Sequence, residues 1–401
     1  MAPEGRAIYV IGCDLGTQST KALLLDDAGT VVARAGRPYG TRYPAPGWAE
    51  QDPRDWLAAL TGAVREVMTA VQAGPADVAG IGIAAQVDGI VAVDASNEPL
   101  GPAPIWMDRR ATAETAAATA RVGEETIRAV TGANADPSHG APKIAWLRDH
   151  VGERPAAYLP PASYLVAQLT GARVLDPANA SCLLVLDVAT ARWSEPLLAA
   201  FGIDPGELPS IAPSSSVAGG LRRELAEALG LRPGCPVVTG TGDEHAASLA
   251  AGLLRPGVVC DIVGTAEPVA AAALEPTRDP DGLVETHFHA APDRWLIEHP
   301  GFVSAGTIRW LAEDVLGCEQ SEIRVLSADA PPGADGVAFV PALGGASTPR
   351  WNPTVLGAFT GMTIGHDRRH LARAVVEGCA FAVRDVVDRL EALGLAGDTI
   401  R

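Results

Sequence analysis

The fold is decided by the stretch Ile8-Tyr9-Val10-Ile11-Gly12-Cys13-Asp14-Leu15-Gly16-Thr17-Gln18-Ser19-Thr20-Lys21-Ala22-Leu23-Leu24-Leu25-Asp26, in which two apolar runs flank a short segment of Gly, Ser and Thr. Two such runs predict a β-hairpin. A third run at Val31–Ala33 follows the turn signal Asp26-Asp27-Ala28-Gly29, so we predict a meander and not a strand-to-helix crossover. Neither G-x-x-x-x-G-K-[ST] nor G-x-G-x-x-G before a helix is present, which argues against Walker-type and dinucleotide-binding folds.

The turn of this hairpin carries groups that suit phosphate binding. Gly16 lets the backbone approach a ligand closely, and Thr17 and Ser19 add hydroxyl donors beside the amides of the turn. Asp14, at the end of the first strand, is placed to hold a hydrated magnesium ion. A structural hairpin without a ligand has the same pattern, so this turn does not decide the function by itself.

A second segment repeats the pattern. Residues 258–270 again run from strand through Asp261 and Gly264-Thr265 to a second strand. Two related hairpins in one chain indicate a duplicated lobe, with phosphates clamped between the two copies.

Just before the second hairpin, Pro236–Ser248 runs from a buried strand through a Gly-rich turn into an Ala-rich helix that begins at Asp243. A structural N-cap is one interpretation, because Asp is among the preferred residues at that position. A carboxylate that orients a hydroxyl nucleophile for phosphoryl transfer is the other. Both roles are compatible at one residue.

Composition sets the limits on class and partner. A chain of 401 residues with 47% hydrophobic content is expected to form two or three domains. No long apolar run and no signal-like N-terminus is present, so we expect a cytoplasmic protein. The six cysteines form no Cys-x-x-Cys pair and are interpreted as buried thiols. The net charge of −17 opposes nucleic-acid binding, and the expected partner is small.

Several separated segments resemble signatures of the FGGY carbohydrate kinase family, in the family's order. Asp14–Ser19 resembles its first phosphate motif, Gly242-Asp243 its catalytic-base motif and Gly264-Thr265 its second phosphate motif. The most specific match is Gly357–Met362 followed, after seven residues, by His370–Glu377, which is similar to the family's C-terminal signature throughout.

The resemblance implies an α/β protein with the two-lobed actin-like ATPase, or ribonuclease H-like, fold. It implies a sugar-binding lobe at residues 1–245, a nucleotide-binding lobe at 246–401, and ATP with Mg²⁺ as cofactors. Asp243 would act as the general base that accepts the proton of the sugar hydroxyl. The implied ligand-binding residues are, for the sugar, Gln86, Val87, Asp88, Trp106, Asp108, Asp243 and Glu244; for ATP, Gly16, Thr17, Gln18, Ser19, Lys21, Gly264 and Thr265; and for the metal, Asp14 and Asp243.

Within the family, several segments resemble the xylulokinases, among them Trp48–Pro53, Ala141–Lys143 and Thr348–Pro353. The resemblance implies D-xylulose as the substrate. The sugar loop differs, since Gln86-Val87-Asp88-Gly89 stands where Gln-Met-His-Gly is usual, and Glu244 stands where Asn is usual. A carboxylate only accepts hydrogen bonds whereas an imidazole also donates, so another ketose or a polyol is left open.

The chain stops at Leu395–Arg401, where a new strand is expected to begin. The family continues there into a Gly-rich adenosine-binding motif that we do not find, so we expect the second lobe to be incomplete and nucleotide binding to be weak. A non-catalytic actin-like module that binds a sugar and ATP is the alternative. The partners implied are a small sugar and ATP, without nucleic acid or membrane, and a homodimer is left open.

Overall fold

The computed structural model describes residues 7–264, 267–301, 304–343, 345–346, 348–352 and 355–401. The chain divides into two compact units, one of Met1–Ala246 with Phe288–Pro292 and one of Ala247–His287 with Asp293–Arg401. The expected boundary lies between residues 245 and 246, one residue before the end of the first unit's main segment. That Phe288–Pro292 belongs to the first unit was not predicted from the sequence. Among the described residues, no helix combines the length and apolar character that a bilayer span requires.

Within its described residues, the first unit contains fifteen complete strands. They are β1 (Tyr9–Leu15), β2 (Ser19–Leu25), β3 (Val31–Pro38), β4 (Glu50–Gln51), β5 (Val78–Ala85), β6 (Val91–Val93), β7 (Ala103–Pro104), β8 (Ala157–Leu159), β9 (Val174–Leu175), β10 (Leu186–Asp187), β11 (Arg192–Trp193), β12 (Ser210–Ile211), β13 (Val217–Gly220), β14 (Pro236–Val238) and β15 (Thr241–Gly242).

In the same described part of the chain, nine α-helices accompany these strands, and the last of them ends in the second unit. They are α1 (Pro53–Ala70), α2 (Thr112–Val122), α3 (Glu124–Thr131), α4 (Gly140–His150), α5 (Pro161–Thr170), α6 (Pro177–Ser181), α7 (Glu195–Phe201), α8 (Arg223–Leu229) and α9 (Asp243–Ala250). A short 3₁₀ turn occupies Pro205–Glu207.

The central sheet of the first unit has the order β13-β14-β5-β1-β2-β3, and β15 also pairs with β5. The predicted hairpin and meander are confirmed: β1 pairs antiparallel with β2, and β2 pairs antiparallel with β3. β5 pairs in parallel with β1 and with β15, and Ala85 lies beside both Leu15 and Gly242. Three segments therefore leave the sheet at one edge, which is where ligands bind in open α/β sheets.

Helix α1 shows how burial holds this sheet in place. The carboxylate of Asp52 caps its first turn by accepting a hydrogen bond from the Arg54 N–H at 3.0 Å, and Pro53 occupies the first helical position. Its buried face packs against β2 and β3 with residues at helical spacing, among them Trp56, Leu60, Val64 and Val67. These side chains join the core formed by the inward-facing residues of β1 and β5.

The second unit is built on a five-stranded sheet of order β18-β19-β17-β16-β22. Its elements are β16 (Val258–Asp261), β17 (Val269–Ala273), β18 (Glu285–Phe288), β19 (Trp295–His299), α10 (Ala305–Trp310), a π-helical turn (Leu311–Leu316), α11 (Gln320–Ala328), a 3₁₀ turn (Ala334–Gly336), β20 (Ala338–Val340), β21 (Ala358–Thr360), α12 (Arg368–Ala392) and β22 (Thr399–Ile400). The predicted second hairpin is confirmed, since β16 and β17 pair antiparallel. The strand expected near the C-terminus is β22, which pairs in parallel with β16.

Candidate active site

The turn between β1 and β2 gathers the residues of the first predicted phosphate site. The Gly16 N–H donates to the Ser19 carbonyl at 3.1 Å, and the Tyr39 hydroxyl donates to the Gly16 carbonyl. Two side chains hold Thr17: the Gln51 amide donates to its carbonyl at 2.6 Å, and the Trp106 indole donates to its hydroxyl at 2.9 Å. The turn is therefore fixed in place from the side of the predicted sugar site.

Two further residues predicted to bind ATP, Gln18 and Lys21, lie at the same turn. Gln18 and Lys21 are exposed, and the Lys21 ammonium lies 3.3 Å from Asp14 Oδ2. An exposed ammonium next to the turn amides is accessible to phosphate oxygens.

Asp243 begins helix α9 directly after β15, as predicted. Its Oδ1 accepts a hydrogen bond from the Glu244 N–H at 2.9 Å, so the carboxylate also serves the helix start. The residue is half-buried. This burial and the nearby Asp14 carboxylate raise the pKa of Asp243 to about 6. Carboxylate oxygens are ligands that Mg²⁺ prefers, and a divalent cation would relieve the repulsion between Asp14 and Asp243. The two residues therefore fit a bound Mg²⁺ ion.

The loop after β5 carries the predicted sugar ligands. Gln86 is buried, and its amide donates to Gln51 Oε1 at 3.0 Å. Val87 lies against the turn before Asp243, since a methyl group placed on Gly242 would be 2.7 Å from Val87 Cγ1. The sugar loop and the predicted base are thus neighbours.

Asp88 occupies the left-handed backbone region with φ of 59°. Asp and Asn tolerate this region better than other residues that carry a side chain. The His139 Nδ1–H is shared between Asp88 Oδ1 at 3.3 Å and the Cys182 carbonyl at 3.1 Å. The side chain of Asp88 is consequently oriented by a histidine that sequence reasoning missed.

Lys143 is a second residue that sequence reasoning missed as part of the site. It is completely buried, and its ammonium donates to the carbonyls of Asp88 at 2.7 Å, Ile105 at 2.8 Å and Ser138. These carbonyls belong to the sugar loop, to the segment before Trp106 and to the segment before His139. One buried cation therefore ties three site segments together, and a lone Lys within an apolar helix sequence is the signal that could have revealed it.

The hydrogen bonds of Asp108 differ from those expected of a residue that binds the sugar. Its side chain is completely buried, and both of its oxygens accept hydrogen bonds from Arg110, while Oδ2 also accepts the Ala49 N–H at 2.6 Å. Arg110 is itself bound to Glu50 and stacks over the Trp48 ring at 3.9 Å. Because these donors already use the carboxylate, Asp108 supports the site and does not present a free acceptor to a sugar.

The second predicted phosphate turn lies in the second unit. Gly264 follows β16 and is half-buried, whereas Thr265 lies outside the described residues. Sequence reasoning missed Glu267, whose carboxyl group is buried beside that of Asp261. Burial first, and then the contact with Asp261, raises the pKa of Glu267 to about 7, and burial also raises the pKa of Asp261.

Sequence models of a protein family match both halves of the chain. The model described as the FGGY family of carbohydrate kinases, N-terminal domain, matches residues 9–250, and the model of the C-terminal domain matches residues 261–401. The expectation that the family's C-terminal region is absent is therefore wrong. We therefore no longer expect weak nucleotide binding, because that expectation depended on the region being absent.

Individual relatives agree with these matches. The xylulose kinase of Escherichia coli strain K12 is 32% identical over 97% of this chain and 80% of its own length. The glycerol kinase of Methylibium petroleiphilum is 32% identical over 95% of this chain and 79% of its own length. The crystal structure of a xyloylose kinase from Brucella ovis has a TM-score of 0.88 and 32% identity, covering 98% of this chain and 81% of that one. The predicted α/β fold with actin-like ATPase lobes is confirmed.

Proposed function

The chain belongs to the FGGY family of carbohydrate kinases, and we propose that its substrate is D-xylulose, which it converts to D-xylulose 5-phosphate. Family membership makes it a phosphotransferase that acts on a sugar or a polyol and uses ATP with Mg²⁺. The observation that carries the proposal is the meeting of the Gln86–Asp88 loop with the turn that bears Asp243. The relative in Escherichia coli and the structure from Brucella ovis, both named as kinases of this ketose, support the choice.

In this proposal Asp243 takes the proton of the attacking sugar hydroxyl. Its pKa of about 6 leaves it deprotonated at neutral pH, yet makes it a stronger proton acceptor than an ordinary aspartate. Asp88 and Glu244 accept hydrogen bonds from other hydroxyls, and Trp106 offers an apolar ring face. Placing the hydroxyl correctly supplies much of the rate in phosphoryl transfer.

Each hairpin turn is assigned a phosphate-binding role of its own. Gly16, Thr17, Gln18, Ser19 and Lys21 provide amide, hydroxyl and ammonium donors at the first turn, and Gly264-Thr265 is assigned to the second. Asp14 and Asp243 would hold Mg²⁺, which, when bound, neutralises charge on the phosphates. Glycerol or another polyol is the second candidate substrate, because glycerol kinases resemble the chain equally well.

A substrate panel tests the proposal. Release of ADP is measured in a coupled assay with ketoses, polyols and aldoses at matched concentrations. We expect the highest kcat/KM with D-xylulose. A clear preference for glycerol or any other polyol over every ketose would reject the assignment while leaving the kinase family intact.

Asp88→Asn tests the sugar loop. Asn keeps the size and tolerates the left-handed backbone, so the loop should stay in place while the charged acceptor is lost. The amide oxygen still accepts a hydrogen bond but carries no charge, and a charged hydrogen bond is stronger than a neutral one by about 1–1.5 kcal/mol, so we expect the KM for the sugar to rise roughly 5–10-fold with a smaller change in kcat. Asp293→Asn is the matched control, because Asp293 has nearly the same backbone conformation (φ of 56°) and is exposed. An unchanged KM in Asp88→Asn would remove Asp88 from sugar binding.

A further inference from the structure

Three side chains of different chemistry meet beside the predicted base. Cys182, Glu244 and His245 each offer one ligand atom, and these atoms all lie within 4.8 Å of one another. Among the residues that the structure describes, this is the one group of three or more such ligand atoms. Thiolate, imidazole and carboxylate are the three side-chain types that bind zinc in proteins.

The group is held by separate elements of the fold. Cys182 directly follows α6, a short helix capped by the Asp176 carboxylate, and its carbonyl is fixed by His139. Glu244 and His245 lie in the first turn of α9, with His245 Nδ1 3.9 Å from Glu244 Oε1. Since the positions are set by tertiary structure and not by one mobile loop, binding requires little further ordering.

The imidazole ring of His245 is packed closely against Gly242. A methyl group on Gly242 would lie 2.5 Å from His245 Nδ1, so the ring occupies space that only glycine leaves open. His245 is completely buried and Cys182 is 2% exposed, whereas Glu244 is half-buried. Two ligands are thus enclosed, and the third, Glu244, is partly exposed to solvent.

We propose that Cys182, Glu244 and His245 bind one soft divalent cation of the zinc class and leave one coordination position open. Ligand atoms around tetrahedral zinc are separated by roughly 3.3–3.7 Å, so the observed spacing requires only a small inward movement of these side chains. A thiolate ligand selects such ions over Mg²⁺ and Ca²⁺, which prefer oxygen. The site is therefore distinct from the magnesium position assigned to Asp14 and Asp243.

The location has a consequence for the reaction. Glu244 is adjacent to Asp243 and is one of the residues assigned to the sugar, so the carboxylate oxygen that ligates the ion is no longer available to the substrate. Binding of the soft cation and of the sugar is then competitive. This competition rests on the proposed function, whereas occupation of the site by the ion does not.

Cobalt(II) titration of the full chain tests the site. Under thiol-free anaerobic conditions we expect one equivalent of Co²⁺ to give a thiolate-to-cobalt charge-transfer absorption that Zn²⁺ displaces and Mg²⁺ in excess does not. Cys182→Ser should abolish this absorption and weaken Zn²⁺ binding at least 100-fold, because changes to mere outer-shell partners already cost 10–100-fold. Cys318→Ser is the control, since Cys318 is a half-buried thiol in the second unit and should leave both readouts unchanged.

Glu244→Gln is a second variant. It should disturb folding less than Cys182→Ser, because Glu244 is half-buried whereas Cys182 is buried. It should keep the charge-transfer absorption and weaken Co²⁺ binding at least tenfold. No absorption in the wild-type chain, or absorption unchanged by Cys182→Ser, would overturn the site. Normal cobalt binding at Cys182 that the sugar does not weaken would instead reject the assignment of Glu244 to the substrate.

Discussion

Asp243→Asn is expected to lower kcat by roughly 10²–10⁴-fold, the range that general acid–base catalysis contributes. The amide has nearly the same shape as the carboxylate but cannot accept the proton of the sugar hydroxyl. Sugar affinity should change little, because the substrate hydroxyl can still hydrogen-bond to the amide oxygen. Turnover is measured by ADP release and sugar affinity by calorimetry.

Folding provides the control for this variant. Burial and Asp14 raise the pKa of Asp243, which means that the charged carboxylate is disfavoured in the folded chain at neutral pH. A neutral amide removes that cost, so the free energy of unfolding at pH 7.5 should not fall. Asp55→Asn, in the exposed part of α1, should leave turnover unchanged. Unaltered turnover in Asp243→Asn would exclude Asp243 as the base.

The elements predicted well from sequence are those whose signals are local. The spacing of Val375, Cys379 and Val386 is typical of a helix with one buried face; in α12 all three residues are buried, and the side chain of Asp367 caps the first turn by accepting a hydrogen bond from the Arg369 N–H. The hairpin of β1 and β2 follows in the same way from two apolar runs around a turn. Local periodicity, caps and turns decide such elements before any tertiary contact forms.

The candidate site was less predictable because its partners are distant in sequence. Asp108 looked like a free acceptor, and only the fold shows that Arg110 and the Ala49 N–H use both of its oxygens. Cys182 precedes His245 by 63 positions, and no motif spacing joins them. Family resemblance identifies the residues that contact the substrate. It does not identify the residues that hold those residues in place, because they contact only the protein.

Lys143 shows most clearly what a supporting group does here. Three carbonyls from separate segments converge on its ammonium, and such buried oxygens are costly to leave unpaired. Burial lowers the pKa of Lys143 to about 8, opposed by the carboxylates of Asp88, Asp108 and Asp136 and assisted by Arg110. The surrounding acidic groups therefore favour the charged ammonium and oppose the effect of burial.

Lys143→Met should consequently lower the free energy of unfolding by about 3–5 kcal/mol, because each of three buried carbonyls that lose their donor costs roughly 1–3 kcal/mol and removal of the buried charge offsets part of that loss. Methionine keeps the length and apolar stem but leaves the three carbonyls without their donor. Urea denaturation at pH 7 measures this loss, and Lys21→Met is the matched control, because Lys21 is 63% exposed and its ion pair with Asp14 is worth at most about 1 kcal/mol. Equal stability of the two variants would show that Lys143 does not hold the segments together.

The pH dependence of stability distinguishes the charge of Lys143 from its packing. The pKa of Lys143 falls from 10.5 to about 8 on folding, so between these values the unfolded chain binds more protons than the folded chain. The contribution of this residue to the free energy of unfolding must then rise with pH through that window, by at most roughly 1.4 kcal/mol per pH unit. Lys143→Met should lack this rise, whereas Lys21→Met should keep it. A wild-type chain and a Lys143→Met variant with parallel stability curves from pH 8 to pH 10 would show that the buried ammonium has an ordinary pKa.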